Sequence, residues 1–129
     1  MSKSKTAEIY VLNGGIKTIK NVFFTHEEKR ISKLASKKMG FDSVEEFYQK
    51  SVLWYLDQYK QFNFHFGKAT NSMCTSVWFN PYTADKLKQV WKETGIESTH
   101  FIYTAVILYL EINGYYKGVF SIDWPGRVK

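Results

Sequence analysis

Arginine and cysteine are nearly missing from this chain of 129 residues, and each shortage excludes some chemistry. The single cysteine, Cys74, cannot form an intramolecular disulfide framework and fits a reducing compartment. Only Arg30 and Arg127 among 18 basic residues carry the planar guanidinium that reads guanine edges bidentately. Phosphate attraction by lysine is therefore easy to supply, and arginine-based base readout is not. The most apolar run, 101–110, is too short to span a bilayer, and the N-terminal MSKSKTAE is too polar for a secretory leader. A soluble, intracellular protein is expected, with no membrane contact. His26, His65 and His100 show no metal-ligand spacing with Cys74, so no metal site is expected. Cys74 has no histidine or aspartate placed to activate it, and Asn13-Gly14-Gly15 lacks the rest of any phosphate-cradling loop. No catalytic centre, cofactor or small-molecule substrate is expected, and an enzyme is the least supported class.

What the chain does have is apolar and aromatic bulk. Residues of hydrophobic type make up 44% and aromatic residues 18%, enough for one domain or two very small ones sharing a core. The formal charge of +6 makes an anionic partner plausible without specifying it. The informative feature is a repeated plan. KNVFFT (20–25) precedes a helical segment, Gly40, Ser43 and a second helical segment to about Tyr59. TSVWFN (75–80) precedes a helical segment, Gly95, Ser98 and a second helical segment to about Asn113. Thr25 lies 15 residues before Gly40, and Asn80 lies 15 before Gly95. A strand followed by two helices cannot bury its own apolar face, whereas two such units can bury theirs against each other.

Local signals place the elements. Residues 8–24 suggest a hairpin turning at Asn13-Gly14-Gly15, whose second strand leads into the first unit. Thr25 is a candidate cap, with Glu27 and Glu28 complementing the helix dipole and Ile31, Leu34 and Ala35 forming the apolar stripe. Ser43 and Glu46 predict a capping box, followed by Val44, Phe47, Tyr48, Ser51, Val52, Tyr55, Leu56 and Tyr59 at helical spacing. Glu45 and Glu46 are read as first-turn residues, not an acid/base pair. Residues 61–73, with Phe62, Phe64 and Phe66 alternating, suggest a short strand or aromatic tether before a plain linker. Asn80-Pro81 is a helix start; Ala84, Leu87, Val90, Trp91 and Thr94 share a face, and Ser98 is expected to cap the last helix. That last segment, 101–112, is apolar nearly all round, and only the parallel with the first unit makes it a helix, lying at the centre. The tail from Gly114 is expected to pack outside.

Strand, helix, glycine turn and serine-led helix together resemble the ribbon-helix-helix family of DNA-binding regulators, the Arc, MetJ and CopG class. The resemblance covers about 20–59 and 75–113. The aromatic-rich, arginine-poor composition is also similar to transcription regulators of archaeal filamentous viruses. The resemblance implies an α+β fold with two ribbon-helix-helix repeats in one chain forming a pseudo-dimer, plus the N-terminal hairpin. The units are then 1–60, a linker 61–73, 74–113 and a tail 114–129. It implies sequence-specific binding of double-stranded DNA with the two-stranded ribbon in the major groove, and repression of transcription. Spare aromatic surface in the hairpin and tail, at Tyr10, Tyr115, Tyr116 and Trp124, is expected to join chains side by side on DNA.

Site residues follow from a strand register. If Val22, Phe24, Val77 and Phe79 point inward, then Ile19, Asn21, Phe23, Cys74, Ser76 and Trp78 point outward. Asn21 and Ser76 become base readers and Phe23 a partner for a thymine methyl, while Trp78 either meets bases or packs on its own fold. A one-residue slip would instead expose Lys20 and Thr75 together with more apolar surface. The family's phosphate-binding helix N-terminus falls at Ser43 and Val44, and at Ser98 and Thr99. Phe23 and Trp78 depart from the family's polar strand. Two rival readings are accordingly a protein-binding module of the same fold and a DNA-coating protein without sequence preference.

Overall fold

The computed structural model describes residues 18–61 and 73–116. Their elements run β1 (Thr18–Phe24), α1 (His26–Lys38), α2 (Val44–Leu56), a short 3-10 turn (Tyr59–Gln61), β2 (Met73–Phe79), α3 (Pro81–Thr94) and α4 (Ser98–Ile112). The fold is α+β: one two-stranded antiparallel sheet and four helices. The expected turn of the N-terminal hairpin, the aromatic segment 62–72 and the tail beyond 116 lie outside the described residues.

The two strands pair with Asn21 opposite Ser76, Lys20 opposite Val77 and Val22 opposite Thr75. Asn21 and Ser76 are 55 residues apart, the same step that separates Thr25 from Asn80 and Gly40 from Gly95. The register is therefore centred on the one pair of strand positions that correspond between the two halves. Side-chain alternation sends Val22, Phe24, Val77 and Phe79 into the core, each 1% exposed or less. The shifted register would have placed these four in water, which explains why the strands do not adopt it.

Each first helix starts as its local chemistry dictates. Thr25 Oγ1 accepts the Glu28 N–H at 3.0 Å, and the Glu28 carboxylate accepts the Thr25 N–H at 2.8 Å, a complete capping box. Asn80 Oδ1 accepts the Thr83 N–H at 2.9 Å, with Pro81 in the first helical position. The end of α1 is closed by Gly40 at φ 85°, with Gly40 N–H on the Lys37 carbonyl and Phe41 N–H on the Ser36 carbonyl. Gly95 at φ 80° ends α3 through its N–H on the Trp91 carbonyl. A Cβ at Gly95 would meet nothing within 4 Å. Gly95→Ala should therefore cost only the left-handed backbone strain, about 1 kcal/mol. Urea denaturation measures this; a loss several times larger would mean that the turn is packed, not open.

Two expected caps differ. Ser43 does cap α2, its Oγ accepting the Glu46 N–H at 3.2 Å, but the Glu46 carboxylate takes the Asp42 N–H and not that of Ser43. Ser98 is not a cap: it is the first residue of α4, and Glu97 holds the N-cap position without a side-chain hydrogen bond.

One core serves both halves. Phe24, Phe47, Tyr48, Val52 and Tyr55 from the first are clustered with Val77, Phe79, Leu87 and most of α4 from the second. Every residue of α4 from Phe101 to Glu111 is buried, as its all-round apolar sequence implied. Rings knit the helices together: Phe24 stacks on Tyr48 at 5.5 Å and lies 5.7 Å from Tyr103, and Tyr55 lies 4.8 Å from Phe101. The outer helices bury narrower stripes than their apolar residues suggested. Leu34 on α1 and Trp91 on α3 are 42% and 52% exposed, and Thr94 is exposed too. The buried stripe of α3 is Thr83, Leu87 and Val90. The second helix stops at Leu56, short of Tyr59, which belongs to the 3-10 turn.

Candidate nucleic-acid interface

Opposite the core, the ribbon presents a second face. Asn21, Cys74 and Ser76 are exposed there, and Phe23 and Trp78 are half-buried. The register pairs Phe23 with Cys74 at one end and Trp78 with the Ile19 position at the other. An aromatic side chain thus marks each end, with a polar pair between. Ser76 Oγ donates to Asn21 Oδ1 across the strands at 3.1 Å. Of the outward set anticipated from alternation, Asn21, Phe23, Cys74, Ser76 and Trp78 are found on this face, so the base-reading candidates Asn21, Phe23, Ser76 and Trp78 share one surface; the Ile19 side chain lies outside the described residues.

Lys20 and Thr75, the candidates from the slipped register, belong to the other side. Thr75 is buried and cannot reach a groove. Lys20 is half-buried and lines a cleft of 440 Å³ with Lys88, Trp91, Ser98 and Thr99. That cleft brings the start of α4 beside two ammonium groups, which the Asp85 and Glu97 carboxylates in the same lining balance. The start of α2 differs. Its turn carries Asp42, Glu45 and Glu46, and Ser43 Oγ is occupied by the Glu46 N–H. Three carboxylates oppose an anion there, whereas at Ser98 and Thr99 two carboxylates are matched by Lys20 and Lys88, so Ser43 and Val44 sit in the less favourable field. Periodicity gave no warning of this difference, although the acidic residues themselves were visible in the sequence.

Further cations lie on the exposed faces of the outer helices: Arg30, Lys33, Lys37 and Lys38 on α1, and Lys86, Lys88 and Lys92 on α3. Arg30 is engaged by Glu27 at 2.8 Å in an exposed pair, and its hydrogen bond holds the Glu27 carboxyl below the usual range. A second, open cleft of 660 Å³ lies between the end of α2 and α3, lined by Leu53, Tyr59, Tyr82, Lys86 and Glu93. Among the described residues no three histidine, cysteine, aspartate or glutamate side chains gather to hold a metal, and no helix is long and apolar enough to cross a membrane.

Part of the aromatic surface expected to join chains is used internally. Tyr115 and Tyr116 are half-buried against the core, because the chain turns back at Gly114, with the Tyr115 N–H on the Leu110 carbonyl at 2.9 Å. Tyr10 and Trp124 lie outside the described residues.

Comparison with protein-family models, with curated proteins and with solved structures returned no match.

Proposed function

We propose that this chain is a double-stranded DNA-binding regulator of transcription, a repressor, whose two strand-helix-helix halves form a ribbon-helix-helix pseudo-dimer. The observation that carries this reading is the outer face of the ribbon, where Asn21 and Ser76 sit hydrogen-bonded between Phe23 and Trp78 on the symmetric centre of the register. Seven residues per strand give a ribbon roughly 23 Å long, and a two-stranded ribbon fits the major groove. Phosphates flanking the groove would be held at the start of α4 by Ser98 and Thr99 with Lys20 and Lys88, and the exposed lysines would add attraction that weakens with salt. Because the halves differ in sequence, one chain would read two unlike half-sites, and no chemistry on the DNA is implied.

Selection from a random duplex pool at moderate salt tests the reading. The expected outcome is one enriched motif with two unlike halves, bound by a monomeric chain. Retention with no enriched motif would replace the regulator by a coating protein. The half-buried Phe23 and Trp78 favour one further reading, a protein-binding module, and absence of any duplex retention at low salt would select it.

A further inference from the structure

We infer that the Asn21–Ser76 pair reads a G·C base pair at the centre of the bound site, with Ser76 as the residue that sets this preference. The inference rests on the DNA reading above and concerns which base edge that ribbon recognises. Of the outward positions with described side chains, Asn21 and Ser76 alone combine oxygen acceptors with donors; Trp78 has only its indole N–H, and Phe23 and Cys74 offer no strong group to a base edge. Hydrogen-bonded readout by the ribbon face must therefore pass through this pair.

Its donor and acceptor inventory is fixed by the bond it makes. Ser76 has one hydroxyl hydrogen, and it is spent on Asn21 Oδ1 at 3.1 Å. What the pair can still offer outward is two N–H donors on Asn21 Nδ2 and the lone pairs of Ser76 Oγ. Adenine is read by asparagine through both ends of the amide, with Oδ1 accepting from N6 and Nδ2 donating to N7. Here Oδ1 is turned to the opposite strand. The major-groove edge of G·C runs acceptor, acceptor, donor: guanine N7, guanine O6, cytosine N4–H. Two donors from Asn21 followed by one acceptor from Ser76 match that order. The edge of A·T runs acceptor, donor, acceptor, so in the same order the pair satisfies only one of its three groups. The central position follows from the register, since Asn21 and Ser76 lie opposite one another where the two halves correspond.

The test is duplex selection run side by side on the intact chain and on Asn21→Ala and Ser76→Ala, with thermal melts to show that both variants fold. The parent chain should enrich G·C midway between the two half-sites, over A·T by about tenfold to a hundredfold, the worth of two hydrogen bonds. Asn21→Ala should lose the central preference and keep the flanking ones. Ser76→Ala releases Oδ1, which lets Asn21 grip adenine with both ends of its amide, so the central preference should pass to A·T. A parent motif with A·T or no preference at its centre overturns the inference, and so does a Ser76→Ala motif that still holds G·C. A parent chain that enriches nothing defeats the sequence-specific reading itself, a result distinct from a motif with the wrong centre.

Discussion

Raising the pH from 8 to 12 is expected to unfold this protein, with stability level up to about pH 9 and falling steeply above pH 10. The cause is its buried tyrosines. Burial pushes the hydroxyls of Tyr48 and Tyr55 up to about 12, and for Tyr48 the Glu45 carboxylate adds to the effect. Burial also raises Tyr103, reinforced by its hydrogen bond to Glu28. In the unfolded chain each would ionise near the ordinary tyrosine value of about 10. Between that value and the folded one, the unfolded state has lost a proton that the native state keeps, so stability decreases as pH rises. Tyr48 and Tyr55 alone remove roughly 5 kcal/mol across that interval, at about 1.4 kcal/mol per pH unit for each proton. Such a loss matches the whole stability of many domains of this size. Urea melts at pH 8 and pH 11, with tyrosinate absorbance followed in parallel, would measure it. Equal stability at the two values would mean that these hydroxyls reach water. Tyr55→Phe should flatten the alkaline limb without altering the acid one.

The second large effect concerns Glu28, which is only 3% exposed. One carboxylate oxygen accepts the Thr25 N–H at 2.8 Å, and the other accepts the Tyr103 hydroxyl at 2.7 Å. Glu28→Ala strips the start of α1 of its reciprocal cap and leaves the buried Tyr103 hydroxyl without its acceptor. Hydrogen bonds to a charged group are worth more than neutral ones, and an orphaned buried donor costs its full desolvation. The expected loss is about 3 kcal/mol, or about 10 °C in Tm. Glu28→Gln keeps an acceptor and the shape, and should lose about 1 kcal/mol. A double-mutant cycle with Tyr103→Phe isolates the shared bond; a coupling near zero would show that Glu28 acts through the cap alone.

Glu28 also shows where sequence reasoning stopped. As the third residue of a helix it reads as a dipole-complementing acid on a solvated turn. Its burial is decided by Tyr103, which lies 75 residues away, and no local pattern carries that pairing. The inward and outward sets of the strands were legible for the opposite reason. Val22, Phe24, Val77 and Phe79 alternate with polar and mixed neighbours, and alternation depends only on the pleat. Thr25 and Asn80 were legible as caps because capping is completed within four residues. Leu34 and Trp91 were placed on the apolar faces of their helices by spacing alone, yet α1 and α3 bury narrow stripes, so burial there depended on what packs above them. For the candidate interface, the outward positions Asn21, Phe23, Cys74, Ser76 and Trp78 were readable, but the bond joining Asn21 to Ser76 was not, since it requires the register. The acidic residues around Ser43 were on the page from the start; weighing them against the cleft at Ser98 needed the position of Lys20 and Lys88.

The pairing of β1 with β2 inside one polypeptide changes how this surface can vary. In a sheet built from two identical chains, every substitution arrives twice, once on each side of the dyad. Here a change at Phe23 leaves Trp78 untouched, and a change at Ser76 leaves Asn21 in place. Each end of the ribbon is free to drift by itself, and the assembly of the sheet is first order, unaffected by dilution. A single genetic step can therefore alter one end of the ribbon's outer face while the other end keeps its side chains.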